Sequence, residues 1–106
     1  MAGKPRMEHH DLLSGLVRLH VLHHAAEEPI YGQWMTDELA RHGYRLPPGT
    51  LHPILAKMER DGYPTCRTER DGRTARKFYT ITDKGRAGLA VARLRLHELV
   101  SKAGRG

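Results

Sequence analysis

Two sets of side chains in this 106-residue sequence have types and spacings that could do chemistry. The first is cationic. From Arg67 to Lys77, five basic residues (Arg67, Arg70, Arg73, Arg76, Lys77) stand against Glu69 and Asp71. Asp71-Gly72 sits among them, and Asp-Gly supports the positive φ values of a tight hairpin. Upstream, Thr50, His52, Lys57 and Arg60 occupy polar positions of a segment whose apolar residues Leu51, Ile54, Leu55 and Met58 recur at helical spacing. Such donors neutralise phosphates, with counterion release as the driving term. An isolated charge run is better read as a solvated hairpin, but this one follows directly on a helix able to lie in a groove.

The second set is imidazole. Eight histidines are many for this length. His20 and His24 stand one helical turn apart, as do His20 and His23, and an i, i+4 pair can ligate zinc or another transition ion. Yet no cysteine partners them, no His-Glu-x-x-His motif occurs, and Glu27 and Glu28 are the nearest acids in sequence. We therefore expect no metal and no other cofactor, with His20 and His24 as the candidates should one bind. Solvated or interfacial imidazoles are the plainer reading, and a pH-sensitive interface lies between the two.

Nothing points to an enzyme. There is no nucleophile–base pair, phosphate loop or metal motif, and Ser14 and Ser101 have no evident partners. The lone Cys66 excludes an intramolecular disulfide and fits a reducing compartment. Its neighbour Arg67 would favour a thiolate, but an inert thiol is the simpler reading than a redox sensor. Trp34, the single tryptophan, is read as core packing. Stacking on a flat ligand at the edge of a dimer cleft is the alternative, with Leu96 as its companion.

Four helices and a hairpin must position these groups. Met7 to Ala26 carries a wide apolar stripe and stops at Glu27-Glu28-Pro29, because the residue before proline is pushed out of the helical region. Ile30 to His42 reads as a second helix with Gly43 as its C-cap. Pro47 and Pro48 suit a first turn, so a third helix is expected from near Pro48 to about Asp61. Strands follow at Tyr63–Glu69 and Ala75–Ile81, joined by a turn at Arg70–Arg73. Thr82 or Asp83 caps a last helix running to about Ser101, in which Leu89, Ala92, Leu96 and Leu99 approach a coiled-coil seam.

The expected fold class is thus mainly α with a small β-hairpin: a winged helix-turn-helix plus N- and C-terminal dimerisation helices. Its expected divisions are a disordered basic start (1–6), the winged helix-turn-helix with its N-terminal helix (7–81), the dimerisation helix (82–101) and a disordered tail (102–106). A chain this short buries only about two-thirds of its unfolded surface, so pairing with a second copy would complete its core. Lys and Arg number 18 against 12 Asp and Glu, a net charge of +6 that favours a polyanionic partner. No apolar run approaches a membrane span and no targeting segment is visible, so a cytoplasmic location is expected.

Three strings resemble the PadR family of bacterial transcriptional regulators: Tyr31-Gly32, Leu46-Pro-Pro-Gly-Thr-Leu-His-Pro-Ile-Leu-Ala-Lys-Met-Glu-Arg-Asp-Gly62, and Arg76-Lys-Phe-Tyr-Thr-Ile-Thr-Asp-Lys-Gly85. The likeness runs from Leu12 to Val100 and is closest to the small subtype with one C-terminal helix. It implies a homodimeric repressor whose first and last helices interleave with those of its partner, placing Leu12, Leu16, Leu89, Leu96, Leu99 and Val100 at the dimer interface. It also implies an inverted-repeat operator in double-stranded DNA and release by a small aromatic or lipophilic effector. Tyr31, Thr50 and Lys57 match the family pattern and carry over as DNA contacts, and Arg73 carries over by position. Two residues depart from it. Pro47 stands where the family commonly has Ser and lacks its hydroxyl, while His52 replaces Tyr but can still donate to a phosphate.

The expected DNA contacts are therefore Tyr31, Thr50, His52, Lys57, Arg60, Arg70, Arg73, Arg76 and Lys77. For Tyr31, a half-buried aromatic at a helix start is the competing reading. For the whole chain, the competing reading is a metal- or pH-responsive sensor using the first helix's histidines. A protein-binding winged helix is a third, against which the basic wing argues.

Overall fold

The computed structural model describes residues 9–103. The expected frayed start at 1–6 and the final residues 104–106 lie outside them. The first helix, α1 (His10–Glu27), follows His9, whose φ of 58° is left-handed and whose carbonyl accepts from the Leu12 and Leu13 amides. Val17, Val21, Leu22 and Ala25 form its buried stripe, spaced for one face of a helix. Glu28 leaves the helix fully extended, as a residue before proline must.

Where we expected the second helix to begin, Ile30–Tyr31 instead form a short strand, β1, and α2 spans Gly32–Arg41. Helix α2 ends as expected at Gly43, with φ 89°. The Gly43 amide donates to the Ala40 carbonyl and the Tyr44 amide to that of Leu39, a Schellman motif.

Helix α3 (Leu51–Arg60) starts three residues later than expected from Pro48. The two prolines belong to a turn that precedes it. Thr50 donates its amide to the Pro47 carbonyl at 3.2 Å, and Gly49 between them has φ 81°. This is a type II turn, with proline preset at its second position and a positive φ at its third that selects glycine. Pro53 then falls at the third helical position, where an amide would have no helical acceptor. A second Schellman motif ends α3: Gly62 (φ 87°) donates to Glu59 and Tyr63 to Met58.

Strands β2 (Pro64–Asp71) and β3 (Thr74–Ile81) form the wing. They run longer than expected because Asp71 pairs with Thr74, leaving a two-residue loop of Gly72 and Arg73 in place of a four-residue turn. Strand β1 adds antiparallel to the other edge of β3, with Ile30 opposite Tyr79 and Tyr31 opposite Phe78, giving the order β1-β3-β2.

The last helix, α4 (Asp83–Ala103), runs two residues beyond Ser101, so part of the expected tail is helical. Thr82 is its cap: its hydroxyl accepts from the Gly85 amide at 3.0 Å and lies 2.6 Å from the Gly62 carbonyl and 2.8 Å from that of Tyr63. The first turn of α4 is pressed onto Tyr63. A Cβ on Gly85 would land on the Tyr63 carbonyl oxygen and 2.7 Å from Ile81 Cγ1.

One core joins all these elements: the α1 stripe, Ile30, Met35 and Leu39 of α2, Leu51, Leu55 and Met58 of α3, Tyr79 and Leu89. Leu89, expected at a dimer interface, is only 4% exposed within the single chain. Its apolar surface is taken up by the chain's own core. The radius of gyration is 15.3 Å, against about 13 Å for a compact chain of this length.

Candidate nucleic-acid interface

The start of α3 and the wing meet in one open groove. Its volume is about 680 Å³, and Tyr31, Gln33 and Thr36, the turn before α3, His52, and Arg76 and Lys77 at the base of the wing all line it. The Pro47–Gly49 turn brings this about by setting α3 in place with His52 and Pro53 of its first turn exposed. Leu51 and Leu55 line the inner side of the groove and, with Met58, hold α3 to the core. Tyr79 closes its floor. Burial, with Cys66 facing it across the strands, pushes the Tyr79 phenol up to about 12, so it stays protonated.

Strand β1 explains the position of Tyr31. Its backbone pairs with Phe78, so the two rings lie on one face of the sheet, edge to face with centroids 5.7 Å apart. The Arg76 guanidinium lies over the Tyr31 ring, 5.0 Å from its centroid. Arg76 also faces Glu69 across the strands, and Glu69 pairs with Arg67 at 2.7 Å. Among the described residues Arg70, Arg73 and Lys77 have no acidic side chain within ion-pair distance, which leaves their charge available to an external anion.

Residues 21–91 match the model of the transcriptional regulator PadR-like family. The chain belongs to that family. It is similar to the transcriptional regulator Rv3488 of Mycobacterium tuberculosis, with 51% identity over 84 residues that cover 78% of each chain. Among solved structures, it resembles a PadR family transcriptional regulator from Eggerthella lenta (TM-score 0.72, 26% identity, 90% of this chain and 88% of that one). A PadR-like regulator from Bacillus cereus shares the fold, with TM-score 0.79, 23% identity, and coverage of 90% and 94%. PadR-like proteins are transcription regulators rather than enzymes, and their winged helix is the architecture found here.

In this PadR-like chain the groove gathers Tyr31, His52, Arg76 and Lys77, but not every residue singled out from the sequence. Thr50 is half-buried at the head of α3. Lys57 and Arg60 lie toward its far end, and Lys57 is held by Asp61 at 3.1 Å. Arg70 and Arg73 stand out along the wing. Gln33 and Thr36 line the groove and were missed. Their polarity gave a faint signal, but which side of α2 meets the groove depends on how β1 docks.

Trp34 packs on the core, its ring edge-to-face with that of His24 at a centroid separation of 5.3 Å, and the groove does not include it. Leu96, its expected companion, is half-buried on α4. Beside it on α4, Val91, Leu94, Leu99 and Val100 are more than half exposed, and Leu12 of α1 is 79% exposed. Val91 and Leu94 were not foreseen, because they fall outside the 3-4 seam. Leu16 is half-buried on α1.

Apart from His52, a group of imidazoles (His20, His24 and His42) lies away from the groove, between α1 and the end of α2. His20 and His24 of α1 face Glu38 of α2 and His42 at its C-cap. Glu38 Oε2 is 3.1 Å from His42 Nε2 and 3.7 Å from His24 Nε2. The His20 ring stands 5.2 Å from that of His42 and 5.0 Å from Tyr44. Burial, with His42, His24 and His23 nearby, holds His20 below its ordinary value despite the opposing pull of Glu38. His23 turns toward α4, where Arg93 donates to its Nδ1 at 2.7 Å.

Proposed function

We propose that this chain is a homodimeric repressor that reads an inverted repeat with its two α3 helices and lets go when a small aromatic or lipophilic effector binds. The observation that carries this reading is the groove joining the exposed start of α3 to the cationic base of the wing. An α3 helix in the major groove would bring His52 and Thr50 toward base edges and the nearest backbone. Lys57, Arg60, Arg76 and Lys77 then meet phosphates beside it, Arg70 and Arg73 extend the contact along the wing, and the Tyr31 hydroxyl reaches the backbone at the mouth of the groove. Leu12, Leu16, Leu96, Leu99 and Val100, joined by Leu94, supply the dimer interface, and an effector entering there beside Trp34 and Leu96 would change the distance between the two α3 helices.

The test is binding to the promoter DNA next to its own gene, titrated against salt. Binding should be tighter than to random DNA by at least a thousandfold and should weaken steeply as salt rises. Equal affinity for random DNA, or a flat salt dependence, would overturn the reading. Reporter expression that falls on deletion of the gene would reject repression in favour of activation.

A further inference from the structure

We propose that His24, Glu38 and His42 form a binding site for a divalent transition ion of the zinc class, joining α1 to α2. Each helix presents a one-turn pair to the other: His20 and His24 on α1, and Glu38 of α2 with His42 at its C-cap. Residues one turn apart project from the same face, so two packed helices can bring such pairs to one point. The donor atoms of His24, Glu38 and His42 all lie within 4.8 Å of one another.

The distances suit an ion. Zinc takes nitrogen and oxygen ligands at about 2.0–2.2 Å, so two donors on one tetrahedral ion stand about 3.4 Å apart. The two separations from Glu38 Oε2, 3.1 Å and 3.7 Å, bracket that value. The side chains of His24 and Glu38 are each only 15% exposed, so water competes weakly for them. Arg41 touches the other Glu38 oxygen at 3.7 Å and leaves Oε2 to the histidines. His24 Nδ1 lies 3.9 Å from Glu27 Oε1, an electrostatic neighbour beyond hydrogen-bond distance. The His20 ring neighbours the group, its centroid 5.2 Å from that of His42.

The donor set selects the ion. Two imidazoles and one carboxylate suit Zn²⁺, Co²⁺ or Ni²⁺, whereas Mg²⁺ and Ca²⁺ take all-oxygen shells and Cu⁺ favours sulfur. A second grouping of His23, His24 and Glu27 also comes within reach. It is the weaker one, since His23 already accepts from Arg93 and Glu27 is 65% exposed.

The experiment uses the full chain without an affinity tag, stripped with chelator and titrated with Zn²⁺ against a chromophoric competitor, with Co²⁺ as an optical probe. We expect one ion per chain, visible Co²⁺ bands of low coordination number, and binding more than tenfold weaker in His42→Ala and Glu38→Gln. His23→Ala should stay within threefold of the parent. Absence of stoichiometric binding, or loss in His23→Ala with retention in His42→Ala, would overturn the site. If His42→Ala does not fold by circular dichroism, Glu38→Gln decides, because its amide keeps the shape and a hydrogen-bond partner for His42. No DNA enters these measurements, so failure here leaves the DNA-reading proposal untouched, and the reverse also holds.

Discussion

Thr82 and Gly85 give a physical reason for the string Ile-Thr-Asp-Lys-Gly. The threonine hydroxyl satisfies the start of α4 and reaches the carbonyls at the end of α3, while the glycine lets α4 sit directly on Tyr63. Gly85→Ala therefore forces backbone apart rather than moving a flexible side chain. We expect a loss of about 1–3 kcal/mol in urea unfolding, whereas Gly15→Ala, exposed inside α1 with no neighbour within 4 Å, should stabilise by up to about 1 kcal/mol. His20 makes a pH-dependent contribution. Its folded value lies below 6.5, so the unfolded chain takes up the proton first as pH falls. Metal-free protein should lose stability as pH drops below about 6.5, less steeply in His20→Gln, and an NMR titration should place the His20 midpoint under 6.5.

The wing is the element whose charges are easiest to separate. Arg67 is paired with Glu69, whereas Arg73 at the tip has no acidic partner among the described residues. Arg73→Ala should weaken binding to every DNA sequence alike and flatten the salt slope by about one unit per wing, while Arg67→Ala changes it less. Long periodic elements such as α1, α3 and the hairpin were legible because their apolar spacing states which face is buried. Strand β1 was not. Two residues carry no period, and Ile30 and Tyr31 are a strand only because Tyr79 and Phe78 lie alongside. The start of α3 was misjudged because proline is equally at home in a first helical turn and in a type II turn, and only the Gly49 φ separates them. Glu38 and His42 were invisible as partners of His24, since the facing of α1 and α2 is a tertiary fact.

The chain as a whole leaves apolar surface uncovered along the outer half of α4 and at Leu12. A 3-4 spacing cannot distinguish an internal core from an interface, and Leu89, at 4% exposed, already packs within the core of the single chain. Leu94 and Leu99 are the better probes. Burying either against a partner contributes about 1.5–3 kcal/mol per side chain, and a two-fold interface counts it twice. Leu94→Glu or Leu99→Glu should weaken self-association at least about a hundredfold in sedimentation experiments, with circular dichroism unchanged. An oligomer that survives both changes would place the interface elsewhere.

The Thr82 junction has a mechanical side. It fastens the base of α4 to the end of α3, so a tilt of α4 would carry α3 with it. Helix α4 has 21 residues, and at 1.5 Å per residue its length is about 31 Å. Two chains clasped at the outer ends of α4 would behave as a pair of calipers. A tilt of about 5° at the clasp swings each jaw by about 2.7 Å over that arm, enough to carry both reading helices out of step with successive turns of a duplex. A small effector at the clasp would then need no contact with DNA, and no loosening of the core, to open the grip.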